Sequence, residues 1–240
     1  PPTPVPALGM TMHLRDGAVL QAGVVAQAAG SAYGEFGDTK VIAAVYGPKQ
    51  GPRGFNEEGV LECEVTRARF RGRGDADIEA PGAKDASRDA READSDLVCR
   101  ALAPALMLDQ FPKAVVQVFV MVLDSGGADM APAVVCAALA LADAGLPMRD
   151  LVSACTLSRR EGSLLLDPVE EEIADEDGSL LVACMPNAGK VTQLLSSGDW
   201  HVSKYRQALG LAVDGCAKYL PLMNTALADG YQKRKDQLAA

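Results

Sequence analysis

Four arginines at alternate positions, Arg67, Arg69, Arg71 and Arg73, have the spacing in this chain that most plainly suggests chemistry. Alternate residues of an extended segment point to one side. Four guanidiniums on one face would form a sequence-independent tether for phosphates, suited to single-stranded RNA. The competing reading is a solvated strand end, or ion pairs with a neighbouring chain. An acidic run follows later: Asp167, then Glu170, Glu171, Glu172, Asp175, Glu176 and Asp177. Such a run could hold a metal ion, but a charge run is more often simply solvated, and no metal is expected.

Other chemistries find no support. Gly189-Lys190-Val191-Thr192 resembles the end of a phosphate loop, yet Cys184 stands where the first glycine is needed and no Ser or Thr directly follows the lysine. The two histidines, His13 and His201, lie far apart without Cys or carboxylate partners at ligand spacing. No Gly-x-Ser-x-Gly elbow is present. Six cysteines (63, 99, 136, 155, 184 and 216) include no Cys-x-x-Cys pair and read as mostly buried free thiols of a reducing compartment. No cofactor is expected.

The 240 residues carry 23 Lys and Arg against 32 Asp and Glu, a formal charge of −9. That excludes a whole-chain cation built to coat nucleic acid, but not a local basic patch. The longest apolar runs, Ala114–Leu123 and Met130–Ala142, fall short of a membrane span. Residues 1–20, which open on Pro1-Pro2-Thr3-Pro4, read as a tail without a secretory signal, and 21–240 as one domain. The expectation is a soluble, intracellular chain with no membrane partner.

The elements that must position these residues follow from pattern. Residues 32–36 and 39–46 flank Gly37-Asp38 as a hairpin, and 60–69 is again extended. Residues 71–87, with their Gly and Pro breakers and charges, read as a mobile loop. Helical spacing runs from about Arg88 to Leu108. Val115–Leu123 is apolar and β-branched enough to be a buried strand covered on both faces. An apolar helix, 131–144, stops at Gly145 and Pro147. Strands are expected at 151–158, 163–166, 179–185 and 191–196, and a last helix over 202–236 with a kink at Pro221. This order means α+β rather than repeated βαβ units.

Three stretches then add a resemblance: Gly30-Ser31-Ala32-Tyr33, Gly37–Pro48, and Leu139–Leu151 with its Leu-Ala-Asp-Ala-Gly core. Together they resemble the RNase PH family, over about residues 21–218. Gln27–Tyr33 and Leu165-Leu166-Asp167-Pro168 most resemble the members that build the eukaryotic exosome ring. The resemblance implies a ribosomal protein S5 domain 2-like α+β fold and a place in a hexameric ring of RNase PH-like subunits capped by RNA-binding subunits. It also implies a chain at work in nucleus, nucleolus and cytoplasm, in RNA processing and degradation.

Active relatives cleave RNA from the 3′ end with inorganic phosphate. The resemblance places their Gly-Thr-Arg phosphate cradle on Ala128, Asp129 and Met130. A helix N-terminus attracts anions through its free N–H groups and dipole. Asp129 would bring its own carboxylate there as an N-cap and repel phosphate. The family's two acids fall on Asp167 and Ile173, so one is lost. A further phosphate-binding arginine aligns near Ala90, with Arg88 and Arg91 beside it. The expectation is a non-catalytic member, with an active phosphate-dependent 3′–5′ exoribonuclease as the alternative. The family also implies that the Arg67–Arg73 segment lies near the central channel of the ring.

Overall fold

The computed structural model describes residues 18–50, 58–68, 83–160 and 162–239. Two sheets enclose a central helix. The first is ordered β1-β2-β3-β5-β4, from strands β1 (Val19–Ala22), β2 (Gly30–Phe36), β3 (Thr39–Gln50), β4 (Val60–Arg67) and β5 (Ala114–Asp124). All its pairings are antiparallel except β4 with β5. The second is a fully antiparallel sheet ordered β7-β6-β8-β9, from β6 (Ser153–Arg160), β7 (Ser163–Leu166), β8 (Gly178–Met185) and β9 (Lys190–Gly198).

Helix α2 (Met130–Asp143) lies between the sheets. Its sequence is apolar all round, and 12 of its 14 residues are buried, the pattern of a helix with sheet on both sides. One continuous core joins it to Val41, Val118 and Val120 of the first sheet and to Ala154 and Ala183 of the second. Helix α1 (Ala83–Leu102) covers the open edge of β4. There the Val65 N–H donates to Ser95 Oγ at 3.0 Å, which satisfies an edge donor that would otherwise be free. Helix α4 (Val202–Ala239) covers the second sheet, runs on through Pro221 and reaches β1.

The family-like stretches turn out to be joints of this architecture. A Cβ on Gly30 would lie 2.2 Å from Ala144 N and 2.4 Å from Ala140 O, so only glycine lets β2 cross the end of α2. Beside it the Asp143 carboxylate accepts the Ser31 N–H at 3.0 Å and an ion pair from Arg234 of α4. Three elements therefore meet on one nearly buried acid.

Several expectations need correction. Helix α1 starts at Ala83, so 83–87 is helix rather than loop, and it ends at Leu102 in two short 3₁₀ turns instead of running to Leu108. Strand β1 takes in residues 19 and 20, which the tail was expected to include. Strand β5 is buried on one face only. Val116, Val118, Val120 and Val122 face the core, whereas Phe119 and Met121 point outward and are exposed. Its apolar continuity hid a period-2 alternation because the outward residues are apolar as well. No helix is long and apolar enough to cross a membrane among the described residues.

Candidate functional site

The turn before α2 and the segment after β7 meet at one end of the central helix. Gly127 bridges Val169, and Glu170 N–H donates to Gly126 O at 2.9 Å. Gly127 has φ 124°, and a Cβ there would lie 2.7 Å from Glu170 N, so the approach requires glycine. The same virtual Cβ lies 3.0 Å from Ile173 Cδ1. Ala128, Asp129, Met130, Asp167 and Ile173, taken from two stretches far apart in sequence, are thus assembled as one site. Ile173 itself closes a short helix, α3 (Glu170–Ile173), within the run expected to be merely solvated.

Asp129 does not cap α2 with its side chain, contrary to expectation. Its backbone is already helical, at φ −85° and ψ −21°, and its carboxylate turns to Arg67 instead. Arg67 Nε donates to Asp129 Oδ2 at 2.8 Å and Nη2 to Oδ1 at 3.4 Å, while Nη1 pairs with Asp94 of α1. Burial disfavours the Arg67 charge, but the Asp129 and Asp94 carboxylates outweigh it and push its pKa up. On β4, Arg67 has the parity of Leu61 and Val65, which face inward. This arginine is therefore committed to two carboxylates of its own chain, although its side chain stays half-exposed. Arg69, Arg71 and Arg73 lie outside the described residues.

Asp167 is fixed by three donors. The Tyr219 hydroxyl of α4 donates to Oδ2; the Thr156 N–H at 3.3 Å and the Cys155 thiol at 3.4 Å donate to Oδ1. Its backbone is left-handed, at φ 51°, a conformation that Asp tolerates better than most residues. Burial, reinforced by the Asp167 charge, holds the Cys155 thiol pKa well above its usual range, so Cys155 is not a nucleophile here. Between Asp167, Tyr219, Phe36 and the first turn of α2 lies a cavity offering about 10 Å³ to a water's centre, room for about one water.

Ala90, near which the second phosphate arginine would align, is exposed. Arg88 is committed to an exposed i,i+4 pair with Glu92 at 3.0 Å. The α1 residue that reaches the site is Asp94, an acid. Sequence reasoning missed Asp94 and Tyr219. Tyr219 shares the inward face of α4 with Cys216 and Met223, and that spacing was its only signal. Among the described residues, no group of three or more His, Cys, Asp or Glu side chains is placed to hold a metal. Chemically, the site sets one arginine against three carboxylates around a helix N-terminus, a field that opposes an incoming phosphate.

Two family profiles match this chain one after the other: "3′ exoribonuclease family, domain 1" over residues 18–147 and "domain 2" over residues 150–215. The chain belongs to the RNase PH family. Relatives include the exosome complex component RRP41-like of Arabidopsis thaliana, 38% identical over 221 residues, covering 91% of this chain and 82% of the relative. The exosome complex component MTR3 of Mus musculus is 38% identical over 232 residues, covering 89% and 83%. Rrp41 of the Cenarchaeum symbiosum exosome is 35% identical over 216 residues, covering 88% and 86%. The crystal structure of rice Rrp46 superposes with a TM-score of 0.75 at 23% identity, over 90% of this chain and 96% of that one. A chain of an archaeal exosome core superposes at 0.69 and 19%, over 87% and 86%. These superpositions bear out the expected α+β fold.

Proposed function

We propose that this chain is a non-catalytic subunit of an exosome-type ring, which scaffolds the assembly and helps guide RNA 3′ ends through its centre. The observation that carries the reading is the Asp129 carboxylate, held by Arg67 at the N-terminus of α2, where the family's cradle would receive phosphate. The single-water cavity at Asp167 supports it, because a phosphate would need the site to open. So does the name "exosome complex component" on relatives that share most of its length. The exposed apolar outer face of β5 is a surface of the kind that other RNase PH-like subunits would cover. RNA-binding cap subunits complete the assembly, and single-stranded RNA meets it through Arg69, Arg71 and Arg73. The work would be done in nucleus, nucleolus and cytoplasm.

A second reading, a phosphate-dependent 3′–5′ exoribonuclease, is favoured by the retained Asp167 and by the family's own description. Incubating the purified chain with single-stranded RNA, inorganic phosphate and magnesium separates the two. The first reading expects no nucleoside diphosphate, with or without phosphate. Phosphate-dependent release of nucleoside diphosphates by the chain alone would establish the second. Native mass spectrometry of the complex purified through this chain tests the ring, and a fluorescent fusion tests the compartments.

A further inference from the structure

Cys63 and Cys99 are the two half-buried cysteines of the described chain; Cys136, Cys155, Cys184 and Cys216 are buried. Cys63 lies on β4 between Leu61 and Val65, all three on the inward side of the strand. The flanking residues are both tied to α1. Val65 N–H donates to Ser95 Oγ, and the Cys99 thiol donates to Leu61 O at 3.4 Å. Ser95 and Cys99 stand one turn apart on the same helix face. Cys63 is therefore bracketed by the two hydrogen bonds that dock α1 on the strand edge, and the Cys99 thiol, held on Leu61 O two residues along the same strand face, stands beside it.

We infer that Cys63 and Cys99 form an oxidant-responsive dithiol that closes to a disulfide when a hydroperoxide reaches it, fastening α1 to β4. This inference stands on the β4–α1 joint alone and holds whether or not the chain cleaves RNA. Cys99 is the attacking thiol. It is the less buried of the two, and the neighbouring Cys63 thiol lowers its pKa to about 7. The same contact, with burial, raises Cys63, which keeps its proton until the second step. In the first step the Cys99 thiolate attacks one peroxide oxygen and the O–O bond breaks. Cys99 becomes a sulfenic acid, and the departing hydroxide takes the proton the thiol gave up, as water. In the second, Cys63 gives up its proton and its sulfur attacks the Cys99 sulfur. The S–O bond breaks, and the hydroxide leaves with that proton as a second water. Two thiols and one hydrogen peroxide give one disulfide and two waters; sulfur loses two electrons and peroxide gains them. The crosslink would close residues 63–99 into a ring containing all four arginines of the basic segment.

The Cys184–Cys216 pair serves as the internal control. These thiols are also neighbours, but at 2% and 0% exposure they are shielded from solvent oxidant. Reduced full-length protein is treated with hydrogen peroxide, blocked with iodoacetamide and mapped without reductant. The expected product joins the Cys63 and Cys99 peptides with loss of two hydrogens, and it raises the melting temperature by roughly 5–10 °C, reversed by dithiothreitol. In Cys63→Ser the sulfenic acid on Cys99 has no resolving thiol and is trapped by dimedone; in Cys99→Ser residue 63 stays a thiol. Phenylarsine oxide, which needs two neighbouring thiols, binds the wild type and neither variant, a second readout independent of oxidation. Peroxide that oxidises Cys99 in the wild type without linking it to Cys63, or that links Cys184 to Cys216 first, overturns the inference.

Discussion

Replacing Arg67 with alanine asks whether it is an internal counter-ion or an RNA contact. Its side chain is 43% exposed, whereas Asp129 is 11% and Asp94 22% exposed. Stripping one partner from a fully buried pair costs about 3–5 kcal/mol, and from an exposed pair about 0–1 kcal/mol. Asp129 is near the first limit and Arg67 near the second, so about 2 kcal/mol is expected, largely from Asp129 left unpaired beside Asp94. In a chain of this size that lowers the melting temperature by about 4–8 °C. Asp129→Ala should cost less, because the half-exposed Arg67 keeps Asp94 and water. The double variant should recover about 1 kcal/mol as coupling. Lysine at 67 should restore only part, because one ammonium cannot serve two carboxylates as a fork does. Thermal unfolding of the four proteins gives the cycle, and RNA binding by the assembled ring at several salt concentrations gives the other half. If Arg67→Ala melts like the wild type while the salt slope falls by about 0.7, Arg67 is a phosphate contact and the internal pairing is wrong.

Four further outcomes follow from the same geometry. Gly30→Ala should abolish folding or cost more than about 3 kcal/mol, since its methyl would meet the backbone of Ala144 and Ala140, read by circular dichroism and yield. Tyr219→Phe removes a donor from Asp167 and should destabilise by about 1–3 kcal/mol in chemical denaturation, leaving the fold intact. Changing Arg69, Arg71 and Arg73 together to alanine should weaken RNA binding by the ring and flatten its salt slope by about 2, with no dissociation on sizing. Phe119→Ser with Met121→Ser, both outward on β5, should leave the melt of the chain nearly unchanged but weaken its co-purification with partner subunits.

Element type was legible wherever burial on one side imposed a period. The β2–β3 hairpin, α2 and the four strands of the second sheet all lie within a few residues of where pattern placed them. Helix α2 was readable because thirteen consecutive residues carry no charge. What failed was anything decided by the third dimension. Helix α1 begins five residues early because its first turn is charged, and local charge does not separate a solvated helix from a loop. Strand β5 looked buried on both faces because an outward surface rich in apolar groups is indistinguishable, in one chain, from a core. Alternation fixes that residues of a strand share a side, not which side: Arg67 has the parity of the inward Leu61 and Val65, and Arg69, Arg71 and Arg73 lie outside the described residues. Tyr219 and Asp94 reach their partners in the site from 52 and 27 residues away, and nothing local marks them.

The stretches that made the family recognisable were those least informative about its chemistry. Gly30, Ser31 and Asp143 bind β2, α2 and α4 into one joint, a role in holding the fold that involves no step of RNA cleavage. The site lies a whole helix away, at the other end of α2, where the constraint is different. There the fold demands only that the helix N-terminus and Arg67 be balanced by negative charge. An inorganic phosphate can meet that demand from solution, and then the protein is left with an exchangeable ligand. Asp129 meets it from within the chain, with no translational entropy to lose at each binding event and no dependence on phosphate concentration. A carboxylate covalently tied to the first residue before α2 acts at very high effective concentration, so dissolved phosphate competes poorly for the same arginine.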